Sequence, residues 1–278
     1  MKSASSTSSD PALICYKLKI SYLGATFAGW QRQKNEVTVQ SLLENALEKL
    51  WKKPLHLEAS GRTDAGVHAI GQVASVQATK KFEPDNLLRA LNANLPHPIR
   101  VTHVQIKPAR FHARFDARAK TYEYRVWNGK VLPPFLLGQA LHYTWPLDLA
   151  KVQKAIDLFK GEHDFASFTS NPGYARLSTV RRIFDFRIRK QGDLILFQVT
   201  ANGFLYRMVR NLVGSALHVG DGRLPLKQLE SILKACDRKL APASVPGHGL
   251  YLKKVHYGAP YPIKLKVESG KLKMEDEE

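Results

Sequence analysis

The sequence predicts an α+β fold in which two halves share one sheet. Two observations support this class. Runs with the two-residue period of strands alternate with runs of helical period along most of the 278 residues, and the second half repeats this alternation without a visible sequence repeat. A chain of this length can bury a sizeable core. The proline-rich stretch Leu132-Pro133-Pro134 marks the predicted boundary between an N-terminal half, 13–131, and a C-terminal half, 132–263.

The N-terminal half is predicted to begin with a half-buried strand, because apolar and polar side chains alternate from Ile14 to Tyr22. Thr38 is placed to cap a helix whose leucines and Ala46 form an apolar stripe up to Leu50. The elements predicted after it are short strands at 55–60 and 72–76, a helix from Pro84 to Leu95, and strands at 99–106 and 122–126.

The C-terminal half repeats the alternation of helix and strand. A helix is predicted around Val152, Ile156 and Phe159. The later elements are predicted strands at 179–190 and 193–200, helices at 207–219 and 225–236, and a last strand at 250–257.

Both ends of the chain are predicted to be disordered tails. Residues 1–12 are rich in serine and lack the apolar core of a secretory signal, and residues 264–278 are highly charged. No stretch approaches 18 consecutive apolar residues, so no membrane span is predicted. A cytoplasmic location is expected.

The charge of the chain points to nucleic acid as its partner. Lys and Arg number 42 against 24 Asp and Glu, which gives a net charge of +18, and the tails contribute none of this excess. A folded body this basic repels itself unless an anion binds it. Basic residues interleaved with aromatic ones concentrate at 107–120 and 176–190, where Arg114 and Arg181 are candidates for phosphate contacts. A solvated basic face is the alternative interpretation.

Cysteine and histidine spacing favours chemistry without a metal or cofactor. Cys15 and Cys236 are far apart, no CxxC occurs, and the histidines are not spaced as HxxxH or HxH. The phosphate-binding loop, the dinucleotide fingerprint and the zinc-deaminase signature are also missing. We therefore expect no cofactor and no metal.

The most informative segment is the loop Gly61-Arg62-Thr63-Asp64-Ala65-Gly66-Val67-His68 between two predicted strands. Flanking glycines allow a positive φ and close approach of a large ligand, and a carboxylate held in this way suits a nucleophile or a general base. Three alternatives stay open: an Asx-turn beside a solvated Arg62, a metal-dependent hydrolase in which Glu58 is the second carboxylate, and a non-catalytic RNA-binding protein or chaperone.

The Gly61–His68 loop resembles the active-site loop of the tRNA pseudouridine synthases of the TruA type. Five further segments resemble blocks of this family in the family's order: Gly29-Trp30-Gln31-Arg32-Gln33, Asn92-Ala93-Asn94-Leu95-Pro96, Phe111-His112-Ala113-Arg114-Phe115, Met208-Val209-Arg210-Asn211 and Gly249-Leu250-Tyr251-Leu252. One departure is Tyr22-Leu23-Gly24, where the family usually has Tyr-Asp-Gly.

The resemblance implies the pseudouridine synthase fold, with two ferredoxin/RRM-like halves around a shared, mostly antiparallel sheet with flanking helices. It also implies an isomerase, assembled as a homodimer, that converts uridine to pseudouridine at positions 38–40 of the anticodon stem-loop of tRNA. The target base must leave its stack to reach the site, at a cost of a few kcal/mol.

The resemblance also assigns roles to individual residues. Asp64 is implied to be the nucleophile, attacking either the ribose or the base, and Arg210 to pair with it. Tyr122 is implied to pack against the target base and to help move a proton. A core face shared with Tyr124 and Val126 is the alternative, and the two interpretations are compatible with each other. Arg62 is implied to displace or replace the flipped base. The substrate-binding residues are predicted to be Tyr122, His68, Arg114 and Arg181.

Overall fold

The computed structural model describes residues 13–170, 178–258, 267–268 and 271–272. Over these residues the chain has a mixed α+β fold with a large, mostly antiparallel sheet and five α-helices, which confirms the predicted class. The chain divides into two compact units. Unit 1 contains the residues up to Asp116 together with Tyr251–Lys253, and unit 2 contains Ala117–Leu250 and the residues from Lys254 onward.

The secondary structure follows the predicted alternation. The strands are β1 (Ile14–Tyr22), β2 (Glu58–Ala59), β3 (His68–Ala78), β4 (Ile99–Lys107), β5 (Ala119–Trp127), β6 (Leu141–His142), β7 (Gly161–Asp164), β8 (Val180–Gln191), β9 (Leu194–Ala201), β10 (Leu250–His256), β11 (Val267–Glu268) and β12 (Lys271–Leu272). The α-helices are α1 (Val39–Trp51), α2 (Pro84–Ala93), α3 (Leu149–Asp157), α4 (Met208–Gly220) and α5 (Leu226–Ala235).

In unit 1 the strands lie in the order β4-β1-β3-β10, and β2 pairs with β3. The pairs are antiparallel except for β3 with β10, where Tyr251 is opposite His68 and Leu252 is opposite Ala69. The alternation along β1 buries Tyr16, whose ring meets the ring of Trp51 in α1 with centroids 6.0 Å apart. This contact places α1 against the sheet.

In unit 2 the strands lie in the order β5-β9-β8-β7, all antiparallel, and β6 pairs with β5 in parallel. The aromatic core contains Phe159, whose ring lies 5.0 Å from that of Phe168 and 6.4 Å from that of Phe186. Helix α4 is apolar on most of its surface and is buried over most of its length.

The structure differs from the predicted boundaries in several places. The compact units divide after Asp116 rather than at Leu132–Pro134, because β5 pairs with β9 along eight residues and so belongs with the second unit. The first strand beside the Gly61–His68 loop spans only Glu58–Ala59, and the short strand β7 has no apolar alternation that would have predicted it.

Parts of the predicted tails lie outside the described residues, namely 1–12 and most of 264–278. Within the latter, β11 and β12 form a short antiparallel pair. None of the helices in the described ranges has the length and apolar character needed to cross a membrane.

Candidate active site

The Gly61–His68 loop lies between β2 and β3 in unit 1, as the sequence predicts. The two strands pair through Glu58 with Ser75 and Ala59 with Ala74, so both ends of the loop leave from one antiparallel ladder. The carboxylate of Glu58 is bound to His56, with 3.3 Å between Oε1 and Nε2.

Thr63, the residue before Asp64, is held by both its backbone and its side chain. Its carbonyl accepts a hydrogen bond from the Trp30 backbone N–H at 3.0 Å, and its hydroxyl shares a hydrogen bond with the hydroxyl of Tyr22 at 2.8 Å. Burial raises the pKa of Tyr22 to about 12, so this phenol stays protonated near neutral pH. Asp64 therefore follows a residue whose position is fixed by β1 and by the Gly29–Gln33 segment.

Two glycines allow neighbouring segments to approach this loop. A Cβ on Gly29, which has a φ of +90°, would lie 2.7 Å from the carbonyl oxygen of Thr63. A Cβ on Gly24 would lie 2.0 Å from the carbonyl oxygen of Val67. Any larger residue at these positions would push the loop away, since real side chains do not approach so closely.

Gln72 of β3 holds the start of the loop. Its side-chain N–H donates to the carbonyl of Gly61 at 2.8 Å, and its oxygen accepts from the hydroxyl of Ser60 at 2.7 Å. Sequence reasoning missed Gln72, and the only indication was a polar residue in a mostly apolar strand.

His68 ends the loop and is 1 % exposed. Its Nδ1 accepts a hydrogen bond from the Gly24 backbone N–H at 3.0 Å, and its ring stacks on Tyr251 with centroids 4.6 Å apart. These contacts within the protein fix the end of the loop. Contact of His68 with a substrate stays a prediction.

Asp64 itself is half-buried and Arg62 is exposed. The Asp64 carbonyl accepts from the Val67 backbone N–H at 3.2 Å, which closes a turn directly after the aspartate. The arrangement presents a carboxylate on a short turn whose two ends are pinned. Such a side chain can act as a nucleophile or as a base.

The basic and aromatic segment 107–120 is partly in unit 1, where it forms an exposed turn. Phe115 is 72 % exposed, its ring lies 4.2 Å from that of His112, and the guanidinium of Arg114 lies 5.8 Å from its centroid. The Ala113 backbone N–H donates to the hydroxyl of Ser75, which ties the turn to β3. Arginine beside exposed aromatic rings is the composition of a single-stranded RNA surface.

Tyr122 lies on β5 of unit 2, opposite Val199 of β9. It is 8 % exposed, and the ring of Phe204 meets it edge-on with centroids 5.0 Å apart. Tyr122 therefore occupies a core position within unit 2, as the sequence pattern allowed. This position is compatible with packing against a base.

Arg210 is the third residue of α4 and is half-buried in unit 2. Its Nε donates to the carbonyl of Val245 at 2.7 Å. This bond ties the guanidinium of Arg210 to the backbone at Val245.

Arg181 lies on β8 of unit 2, opposite His163 of β7. Its Nη1 donates to the carbonyls of Ser178 at 3.2 Å and Val180 at 2.6 Å. Of the other residues in the predicted basic segment 176–190, Arg176 lies outside the described ranges.

The predicted site residues thus fall into two groups. Unit 1 contains Asp64, Arg62, His68 and Arg114, and unit 2 contains Tyr122, Arg181 and Arg210. Across the residues that the structure describes, no group of three or more His, Cys, Asp or Glu side chains is arranged to hold a metal ion.

Comparison with known proteins identifies the family. The family model described as tRNA pseudouridine synthase matches residues 19–116 and 155–258. The chain belongs to the tRNA pseudouridine synthase family. The matched residues include the Asp64 loop and Arg210, whereas Tyr122 lies between the two matched segments.

Individual relatives support the same family. The chain is 49 % identical over 246 residues to tRNA pseudouridine synthase A of Methylacidiphilum infernorum, covering 88 % of this chain and 96 % of the relative. It is 42 % identical over 250 residues to tRNA pseudouridine synthase A of Limosilactobacillus fermentum, with the same two coverages. A solved Cbf5-Nop10-Gar1 complex is a remote match, at 15 % identity and a TM-score of 0.31 over 73 % of this chain and 45 % of that chain.

This tRNA pseudouridine synthase is an isomerase that modifies tRNA. The non-catalytic and hydrolase alternatives are therefore set aside. In place of the usual family aspartate, Leu23 is half-exposed, and its backbone N–H donates to the carbonyl of Pro98 at 3.0 Å. The turn at this position is thus held by the backbone.

Proposed function

We propose that this synthase isomerises uridines at positions 38–40 in the anticodon stem-loop of tRNA, with Asp64 as the nucleophile. The observation that carries the proposal is the Asp64 turn, in which Thr63 and Val67 hold both sides of a half-buried carboxylate. A carboxylate that reacts covalently must be held in place before the substrate arrives, because positioning supplies much of the rate.

The proposed reaction breaks one bond and forms another without adding any group. The bond between the ribose and the uracil nitrogen breaks, the uracil rotates, and a bond forms between the ribose and a ring carbon. That carbon loses its proton to a base, and the ring nitrogen regains one. The proposal includes attack of Asp64 on either the ribose carbon or the base ring, since both need the same ionised carboxylate.

The other proposed roles follow the family resemblance. Tyr122 packs on the flipped base, Arg210 pairs with Asp64, and Arg62 takes the place of the base in the stem. The exposure of Arg62 supports its proposed role, and the low exposure of the Tyr122 ring supports a packing role for that residue. Stacking on an aromatic ring is worth roughly 1–3 kcal/mol per base, which offsets part of the cost of flipping.

The wider substrate contacts and the assembly belong to the same proposal. Arg114 and Arg181 contact tRNA phosphates and His68 contributes to the substrate site. We also propose a homodimer and a cytoplasmic location.

The test is the substitution Asp64→Asn, which is nearly isosteric and so preserves packing while removing the nucleophile. Unmodified tRNA is incubated with wild type and variant, and pseudouridine is mapped by chemical labelling and primer extension. We expect modification at positions 38–40 by wild type, none by Asp64→Asn, and equal tRNA affinity. The matched control is Asp157→Asn, an exposed aspartate paired with Lys160, which should keep full turnover. Pseudouridine formation by Asp64→Asn would refute the assigned nucleophile.

A further inference from the structure

We propose that Tyr124 is a positioning residue for Arg210, acting through the segment 241–249, which we call the anchor segment. This inference rests on the proposed function, because only the proposed function gives Arg210 a role in the reaction. Tyr124, Arg210 and the anchor segment all belong to unit 2.

The anchor segment binds Arg210 through two hydrogen bonds with one residue. The Nε of Arg210 donates to the carbonyl of Val245 at 2.7 Å, and the Val245 backbone N–H donates to the Arg210 carbonyl at 3.4 Å. Val245 thus holds both the backbone and the guanidinium of Arg210. A displacement of Val245 would move or rotate the guanidinium.

Helix α4 is shaped to receive the anchor segment. Gly214 lies four residues after Arg210 and therefore on the same helix face. A Cβ on Gly214 would lie 2.9 Å from the carbonyl oxygen of Ala243 and 3.3 Å from Cγ1 of Val245. The segment crosses the helix in contact with its backbone, at a distance that only glycine allows.

Polar side chains hold the first part of the anchor segment. Arg238 donates to the carbonyls of Ala241 at 2.8 Å and Pro242 at 2.9 Å. The buried side chain of Asn211 accepts from Arg238 at 3.1 Å and from the hydroxyl of Ser244 at 2.5 Å. These bonds fix the segment up to the residue before Val245.

Tyr124 holds the part that follows Val245. Its hydroxyl donates to the carbonyl of Pro246 at 2.8 Å. Its ring packs against the end of the segment, where a Cβ on Gly249 would lie 2.7 Å from it. Val245 is therefore fixed from both sides, by Ser244 and by Pro246.

The environment of Tyr124 suits a positioning role and not a chemical one. The residue is completely buried, so it has no surface to offer a substrate. Burial raises its pKa, while the nearby charge of Arg210 acts in the opposite direction, so the hydroxyl remains a donor at neutral pH. Removing this hydroxyl would leave the Pro246 carbonyl without its donor and free Val245 to shift.

The test is Tyr124→Phe, measured by steady-state kinetics on unmodified tRNA and by thermal unfolding. We expect kcat to fall by about tenfold to a hundredfold, because misplacement of a reacting group on the scale of 1 Å costs this much, with KM changed by less than about twofold. The control is Tyr16→Phe in unit 1, where the hydroxyl of a buried tyrosine donates to the Phe82 carbonyl at 3.1 Å and accepts from the Phe82 N–H at 2.7 Å. This control should lower the unfolding temperature at least as much and keep kcat.

A purely structural role would lower stability in both variants without a selective loss of kcat in Tyr124→Phe. That result, or wild-type kcat in a folded Tyr124→Phe, would overturn the inference. If Tyr124→Phe does not fold, Ser244→Ala tests the inference instead, because it removes only the bond to Asn211. For Ser244→Ala we expect a smaller loss of kcat at unchanged KM. Wild-type kcat in that variant would overturn the inference.

Asp64→Asn in the same assay separates the two proposals. An active Asp64→Asn refutes the proposed function, since the residue that Arg210 should pair with is then dispensable. An inactive Asp64→Asn together with wild-type kcat in Tyr124→Phe leaves the proposed function standing and refutes only the role of Tyr124.

Discussion

Gly29 shows how one residue without a side chain keeps the Asp64 turn in place. Its backbone has a φ of +90°, and an added Cβ would meet the Thr63 carbonyl oxygen at 2.7 Å and the Ala65 nitrogen at 3.1 Å. These two residues flank Asp64 in the sequence. Gly29 therefore sets how closely the chain before α1 can lie against the turn that carries Asp64, the proposed nucleophile.

We predict that Gly29→Ala lowers both stability and turnover. A positive φ alone costs an alanine roughly 1–2 kcal/mol. The matched control is Gly222→Ala, because Gly222 has a φ of +84° but no atom within 4 Å of an added Cβ. The control should lose only the φ penalty and keep its turnover, whereas Gly29→Ala should lose more stability and also shift Asp64.

Urea unfolding and single-turnover pseudouridine formation measure the two effects. Equal losses of stability in both variants, with normal turnover in Gly29→Ala, would mean that the turn tolerates displacement of Thr63.

The sequence alone located Asp64 but not the residues that hold it. Asp64, Arg62 and the two loop glycines lie within six consecutive residues, so a local motif identifies them. Gln72 acts on Gly61, 11 residues away, and Tyr22 acts on Thr63, 41 residues away, so both contacts depend on how separate segments pair. Local periodicity carries no information on which distant polar groups meet.

Helix α1 begins at a local capping signal and contacts the strand before the Gly61–His68 loop. The Thr38 hydroxyl accepts from the Ser41 backbone N–H at 3.2 Å, and Ser41 in return accepts from the Thr38 N–H at 3.2 Å. On this helix, Glu44 accepts from the Leu57 N–H at 3.1 Å and Gln40 donates to the Leu57 carbonyl at 3.3 Å. The helix thus holds the chain directly before β2.

We predict that Thr38→Ala lowers the free energy of unfolding by about 0.5–2 kcal/mol, because the Ser41 backbone N–H loses its side-chain acceptor. The matched control is Ser231→Ala on the exposed face of α5, where the serine hydroxyl donates to the Lys227 carbonyl. The control should stay within about 0.5 kcal/mol of wild type. Urea unfolding measures both, and an equal effect in the two variants would contradict the capping role.

The elements were predictable where periodicity is strong and local. Helix α1 begins directly after the predicted cap Thr38, and β1 spans the predicted Ile14–Tyr22. The two-residue strands β2 and β6 are too short to show a period. The unit boundary depends on β5 pairing with β9, and such a long-range register is not written in either strand alone.

At the scale of the whole molecule, the net charge of +18 favours binding of tRNA, which is a polyanion. Each phosphate that a basic side chain neutralises releases a condensed counterion, so affinity falls as salt rises. The exposed turn with Arg114 and the strand with Arg181 are the proposed contact points, one in each compact unit. The number of such contacts can be counted from the salt dependence.

We predict that tRNA affinity falls steeply with salt, and that Arg114→Gln and Arg181→Gln each lower the slope of log K against log salt by about one unit. The control Lys234→Gln removes the same charge from a lysine that is paired with Glu230 at 2.7 Å on the outer face of α5, and its slope should match wild type. Fluorescence titrations with pre-folded tRNA at four salt concentrations measure the slopes. A slope that falls equally in all three variants would mean that net charge attracts tRNA without fixed contacts at these arginines. An unchanged slope in Arg114→Gln would mean that the Phe111–Phe115 turn is not part of the binding surface.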